Sequence, residues 1–132
     1  MPVGYSGTPL ANKLSLKYGL RVRWEGMPDS VRAEIDGAGL ALEPAEERID
    51  AAHVFVTKRA ELEEAIVRLL PRLARDGLLW VSWPKKASKV PTDITEDLIR
   101  DVALPLGLVD VKVCAVDETW SGLKLVIRRE LR

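Results

Sequence analysis

Two lysines stand side by side in the stretch WVSWPKKASKVPTDITED, residues 80–97, directly after Trp83-Pro84. Adjacent ammonium groups between an apolar run and the start of a helix can hold an anion, helped by the free amides of the helix N-terminus. Lys85, Lys86 and the hydroxyl of Ser88 are therefore candidate ligand donors. The same helix start carries Asp93, Glu96 and Asp97, which repel anions. The plainer reading, favoured because surface ion pairs are common, balances the lysines against those acids or against Asp117 and Glu118. Asp117 and Glu118 have the chemistry of a general base or of magnesium ligands. Adjacent carboxylates in an extended segment point different ways, however, which favours a turn or an ion pair. Trp83 and Trp120 offer faces for a planar ligand and, equally, large apolar surfaces to close a core.

His53 is the only histidine and Cys114 the only cysteine. His53 opens the run HVFV, at the end of that strand away from the expected ligand edge, so a hydrogen-bonded structural role is expected of it. Cys114 lies among valines and reads as an inert core thiol. One cysteine makes neither an internal disulfide nor a cysteine zinc cluster. No GxSxG elbow, P-loop or HExxH occurs, and Ser6 in Gly-Tyr-Ser-Gly lacks the preceding strand that an elbow requires. No catalytic and no metal-binding residue is assigned.

Basic and acidic residues balance at 20 each, so no net field draws the chain to nucleic acid or to an anionic membrane. Nucleic acid is not an expected partner. With 132 residues, 47% of them hydrophobic, one domain can bury a core without metal or disulfide. No apolar run reaches membrane-spanning length. A cytoplasmic protein is expected, complete from Met1 to the polar end RRELR.

The elements that must position these residues are readable from periodicity. Thr8-Pro9 reads as an N-cap with proline at the first helical position, opening a helix with Leu10, Leu14 and Leu16 that ends at Gly19. Residues 20–24 alternate as a first strand, Pro28-Asp29-Ser30 opens a short helix to Gly37, and residues 40–42 form a short second strand. Residues 52–56 are a continuous apolar run, as in a buried strand. Thr57 caps a helix carrying Leu62, Ile66, Leu69 and Leu73, bent by Pro71 and stopped by Asp76-Gly77. Residues 78–83 form the strongest strand. Asp93-x-x-Glu96 resembles a capping box before Leu98, Val102 and Leu106. Residues 109–116 and 123–128, joined by a short polar link, form an antiparallel hairpin. Alternating strands and helices predict a single α/β domain, with an N-terminal arm and helix over 1–19 and a mostly parallel sheet core over 20–132.

In such a sheet, ligands lie outside the carboxyl ends of the strands. Trp24 follows the first strand there, Lys58 the strand ending at Val56, and Lys85, Lys86 and Ser88 the strand ending at Trp83. Asp117, Glu118, Trp120 and Ser121 occupy the hairpin turn, and the N-terminal arm brings Tyr5 and Ser6 back to the same rim as a lid. Tyr5, Trp24, Trp83, Lys85 and Trp120 are expected to meet.

From residue 52 onward the order HVFVT, ELEEAIVRLLPRLARDG, GLLWVSWP, helix, hairpin resembles the second half of a class I S-adenosylmethionine methyltransferase. The resemblance covers roughly 80 residues and implies a Rossmann-like, methyltransferase-like fold. The first half departs from it. A cofactor-binding member has a glycine-rich loop after its first strand, whereas this chain reads Trp24-Glu25-Gly26-Met27-Pro28, with Gly26 alone. The family's usual strand and helix also find no room between Leu42 and Ala52. These departures tell against S-adenosylmethionine as a cofactor and describe a trimmed scaffold. The blocks GYSGTPLANKL, WPKKAS, TDITED and VCAVDETWSGLKLV also look like an uncharacterised bacterial family known only as a domain of unknown function. That resemblance brings no catalytic or binding residues with it.

The expectation is a non-enzymatic binding or regulatory module that takes a small anionic ligand or a protein at the rim. The alternatives are a methyltransferase with an atypical cofactor loop, and an interaction domain that forms a homodimer through the hairpin.

Overall fold

The computed structural model describes residues 8–132. In chain order the elements are α1 (Leu10–Lys13), β1 (Arg21–Glu25), α2 (Asp29–Asp36), β2 (Glu43–Pro44), β3 (Ile49–Phe55), α3 (Arg59–Leu69), β4 (Leu73–Pro84), α4 (Glu96–Ala103), β5 (Leu108–Ala115) and β6 (Trp120–Ile127). The strands form one sheet in the order β2-β1-β3-β4-β6-β5. From β2 to β4 the pairing is parallel. β6 is antiparallel to both β4 and β5, so β5 returns to the direction of β1, β3 and β4. This is the mixed α/β sheet that the alternation of elements predicts, closing hairpin included.

Helices cover both faces. On one, α3 and α4 bury Leu62, Ile66, Leu69 and Ile99 against Val54, Val56, Leu79, Val81, Leu123 and Leu125. On the other, α1 and α2 bury Leu10, Leu14, Val31 and Ile35 against Val22, Ala51 and Trp80. Burial on both faces explains why β3 and β4 read as continuous apolar runs. Trp80 is 1% exposed and donates its indole N–H to the carbonyl of Leu14 at 2.9 Å, fastening α1 to a central strand. No described helix is long and apolar enough to cross a membrane.

Element ends differ from the periodicity where local chemistry competes with it. α1 stops at Lys13 because Ser15 turns left-handed, at φ 60. β2 lies at Glu43–Pro44, past a left-handed Ala41. β3 starts at Ile49, so His53 stands near its carboxyl end and not at its beginning. α3 ends before Pro71, and β4 takes up the chain at Leu73, earlier than residue 78. An irregular register between Ile49 and Ala51 absorbs the early start. There Gly77 is pressed between backbones: a Cβ would lie 2.9 Å from the carbonyl oxygen of Ala74 and 3.0 Å from that of Ile49. The cap of α4 is Thr95, whose hydroxyl oxygen accepts from the amide of Leu98 at 3.1 Å. Asp93 instead accepts from the amide of Arg59 at 2.8 Å, tying the approach to α4 onto the start of α3.

Candidate functional site

The chain leaves β1 toward β2 on one side and reaches β3 on the other, so strand order reverses between β1 and β3. That is the expected ligand crevice. Here the two strand ends come close together. Gly26 follows β1 with φ +68, and a Cβ on it would stand 2.9 Å from the carbonyl oxygen of Phe55 at the end of β3. Only glycine permits that approach without strain. Beside it, Glu25 accepts from both terminal nitrogens of Arg68 at 2.7 Å and from Arg23 at 3.0 Å. Arg68 continues to Glu64, its i−4 neighbour on α3. Hydrogen bonding from Arg68 holds the Glu25 carboxyl below its ordinary range, with Arg23 adding to the effect. What remains open is a depression of about 440 Å³ against α3, floored by Val54 and Val56, and one of about 370 Å³ beside β2 around Trp24 and Arg32.

The hairpin turn lies at the same edge as the end of β4. Pro84 pairs with Trp120, Trp83 with Ser121, and the amide of Lys85 donates to the carbonyl of Thr119 at 2.7 Å. The lysines of this edge are Lys58, Lys85, Lys86 and Lys89. Every ion pair between described residues in the molecule is made by an arginine. Three acids of this edge are turned to backbone amides. Glu61 accepts from the amides of Thr57 and Lys58, Asp93 from Arg59, and Asp117 from Thr119 and Trp120 at 2.8 Å each. Glu96 and Asp97 bind Arg100, which also takes Asp110. The pairing of Lys85 and Lys86 with these carboxylates, favoured from sequence, is not what the side chains do. Ser88 is spent on its own turn: its hydroxyl donates to the carbonyl of Lys85 at 2.6 Å and accepts from the amide of Val90.

The tryptophans do not share a surface. Trp83 is 8% exposed and packs with α3 and α4, whereas Trp24 and Trp120 pack on the opposite face. A depression of about 600 Å³ opens over Trp83, bounded by Lys86, Thr92, Glu96 and Arg100. Trp24 and Trp120 belong to an aromatic cluster in which Phe55 stacks on His53 and meets the edge of Trp120. Tyr5 and Ser6 lie outside the described residues.

His53 is fully buried in that cluster, with Nε2 2.6 Å from the hydroxyl of Ser82. Its Nδ1 is the one buried side-chain polar atom without a partner among the described residues. Burial pushes the imidazole down to about 3, leaving it neutral and out of reach of solvent. Cys114 is partly buried against the α1–α2 side of the core, not fully enclosed as the sequence suggested, and that burial raises its thiol. The described residues contain no cluster of His, Cys, Asp and Glu able to hold a metal ion. Sequence reasoning missed the Glu25–Arg68 pair. Its members are 43 positions apart, and no local pattern marks them.

Residues 19–129 match the model of a family described as "Protein of unknown function (DUF3052)". The chain belongs to this family. No curated protein matches the chain. Among solved structures it is similar to a SAM-dependent methyltransferase from Aquifex aeolicus, at 16% identity and a TM-score of 0.57, covering 89% of this chain and 87% of that one. It is also similar to a putative type 11 methyltransferase from Sulfolobus solfataricus (12% identity, TM-score 0.54, 89% of each chain). A third likeness is to Aeropyrum pernix fibrillarin, solved with natively bound S-adenosyl-L-methionine (12% identity, TM-score 0.55, 93% of this chain and 70% of that one). At such identities the likeness establishes the fold, which is methyltransferase-like in this DUF3052 member.

Proposed function

We propose that this DUF3052 protein is a non-enzymatic binding module whose carboxyl edge takes a small anionic ligand. The observation that carries this reading is the state of Lys58, Lys85, Lys86 and Lys89. They make no ion pair with a described residue, while the neighbouring acids Glu61, Asp93 and Asp117 are spent on backbone amides. Ammonium groups left without counter-ions beside an apolar floor such as Trp83 are ready to accept a phosphate or carboxylate. The lone Gly26 in place of a glycine-rich loop and the buried, neutral His53 support binding over methyl transfer.

The test is a thermal-shift screen of nucleotides and phosphorylated metabolites against the wild-type chain and Lys85→Gln/Lys86→Gln. The reading expects at least one anion to raise the wild-type melting temperature and to lose most of that effect in the variant. No stabilisation by any anion, or equal stabilisation of both proteins, overturns it. A second reading, a methyltransferase with an atypical cofactor loop, is favoured by the likeness to S-adenosylmethionine-dependent enzymes. It requires S-adenosyl compounds to bind.

A further inference from the structure

A second group of lysines lies away from the carboxyl edge, on the face of the hairpin that α1 covers. Lys112 on β5 and Lys124 on β6 are directly opposed in the β-ladder, so their side chains leave the sheet on the same face. Like charges in directly opposed positions destabilise a strand pair. The chain nevertheless adds to them. Lys112 reaches the end of α1, donating to the carbonyl of Lys13 at 2.8 Å, and Lys124 donates to the hydroxyl of Ser15 at 3.0 Å. Lys13 in turn approaches the carbonyl of Ala115 at 3.5 Å. The acceptors of Lys112 and Lys124 are neutral, and no described carboxylate pairs with either, or with Lys17.

The local sequence supplies no acid to this face. The first acidic residue of the chain is Glu25, so the whole segment that builds and follows α1 is uncharged or basic. β6 has no acidic residue, and the one acid of β5, Asp110, is held by Arg100 of α4, on the far face. Lys124 is half-buried and held below an ordinary lysine, first by burial and then by the charges of Lys112 and Lys17. Two lysines thus stand together on this face with only neutral acceptors among the described residues, which suits an external anion.

We propose that Lys112, Lys124 and the Ser15 hydroxyl form a second anion site, for a ligand bearing phosphate groups. Ammonium groups from two strands stand side by side here, and the oxygens of a tetrahedral phosphoryl group can accept from both. The Ser15 oxygen accepts from Lys124, which leaves its O–H to donate to the same ligand. This site lies outside the carboxyl edge and does not depend on the function assigned to that edge.

The experiment titrates inorganic tripolyphosphate into the full chain by calorimetry at about 50 mM salt, where screening is weak. Wild type, Lys112→Gln/Lys124→Gln and Lys85→Gln/Lys86→Gln are compared. The proposal expects Lys112→Gln/Lys124→Gln to weaken binding by about tenfold or more, as loss of charge-assisted hydrogen bonds does, and Lys85→Gln/Lys86→Gln to leave this site's binding in place. The Lys124 ε-methylene signal of the wild-type protein supplies a readout that needs no variant to fold. On adding tripolyphosphate it should shift, and its titration should move upward. Absent binding, binding unchanged in Lys112→Gln/Lys124→Gln, or a Lys124 signal indifferent to the ligand overturns the proposal. Loss of all binding in Lys85→Gln/Lys86→Gln alone overturns it too, and places the anion at the carboxyl edge.

Discussion

His53 has its ordinary value of 6.5 in the unfolded chain and about 3 in the fold, because burial in an aromatic cluster opposes the charged form. The unfolded chain therefore takes up a proton that the folded chain refuses. The stability associated with the neutral ring is fully present above pH 6.5 and falls as pH drops from there toward 3. The slope is about 1.4 kcal/mol per pH unit, or roughly 2 kcal/mol between pH 6.5 and 5. Glu25, Asp50 and Asp110 are held low by arginines. Their stabilisation is lost only on further acidification, as pH falls through and below the ordinary carboxylate range. Urea unfolding at pH 7 and pH 5 separates these contributions. The wild type should lose roughly that 2 kcal/mol, and His53→Leu/Ser82→Ala, which removes both polar partners together, should lose little. Equal losses in the two proteins would show that His53 is not the group responsible.

Among the connecting elements, the β1–α2 turn is the one on which the site depends. Gly26→Ala must carry a left-handed non-glycine residue and bring a methyl group against the carbonyl of Phe55. A cost of about 2 kcal/mol is expected, read as a lower midpoint in urea. A substitution without effect would mean that β1 and β3 do not meet at this point. The same turn marks how far the sequence could be read. Alternation and apolar runs located every strand but the second closely enough to predict the sheet, because burial on one or both faces writes itself into residue order. The competing local choices were less visible: Thr95 over Asp93 as the cap of α4, and Ser15 left-handed at the end of α1. Both depend on hydrogen bonds or backbone angles that other residues of the same type do not adopt. Of the candidate site, the convergence of residue 85 with residue 119 was legible from topology. The placement of Trp83 on the face opposite Trp24 and Trp120 was not. Facing follows strict alternation only once the strand register is known.

At the scale of the molecule, arginines and lysines divide the electrostatic work. Arginines knit carboxylates into bridges, such as Arg68 with Glu25 and Arg100 with Asp110, as suits a planar fork of donors. Lys58, Lys85, Lys86 and Lys89 at the carboxyl edge, and Lys112 and Lys124 on the α1–hairpin face, make no ion pair with a described residue, and we propose that both groups take anions. The trimmed sheet, with a two-residue β2, keeps the methyltransferase-like frame, and Gly26 packs against the carbonyl of Phe55 between β1 and β3; we infer that no nucleoside cofactor is taken there. The most direct test of that claim is the melting temperature of the full chain with S-adenosylhomocysteine at about a millimolar. A ligand at a hundred times its dissociation constant would stabilise the fold by about 2.7 kcal/mol, a shift of several degrees. That inference predicts a melting curve unchanged by the ligand. A concentration-dependent rise would contradict it and restore the methyltransferase reading.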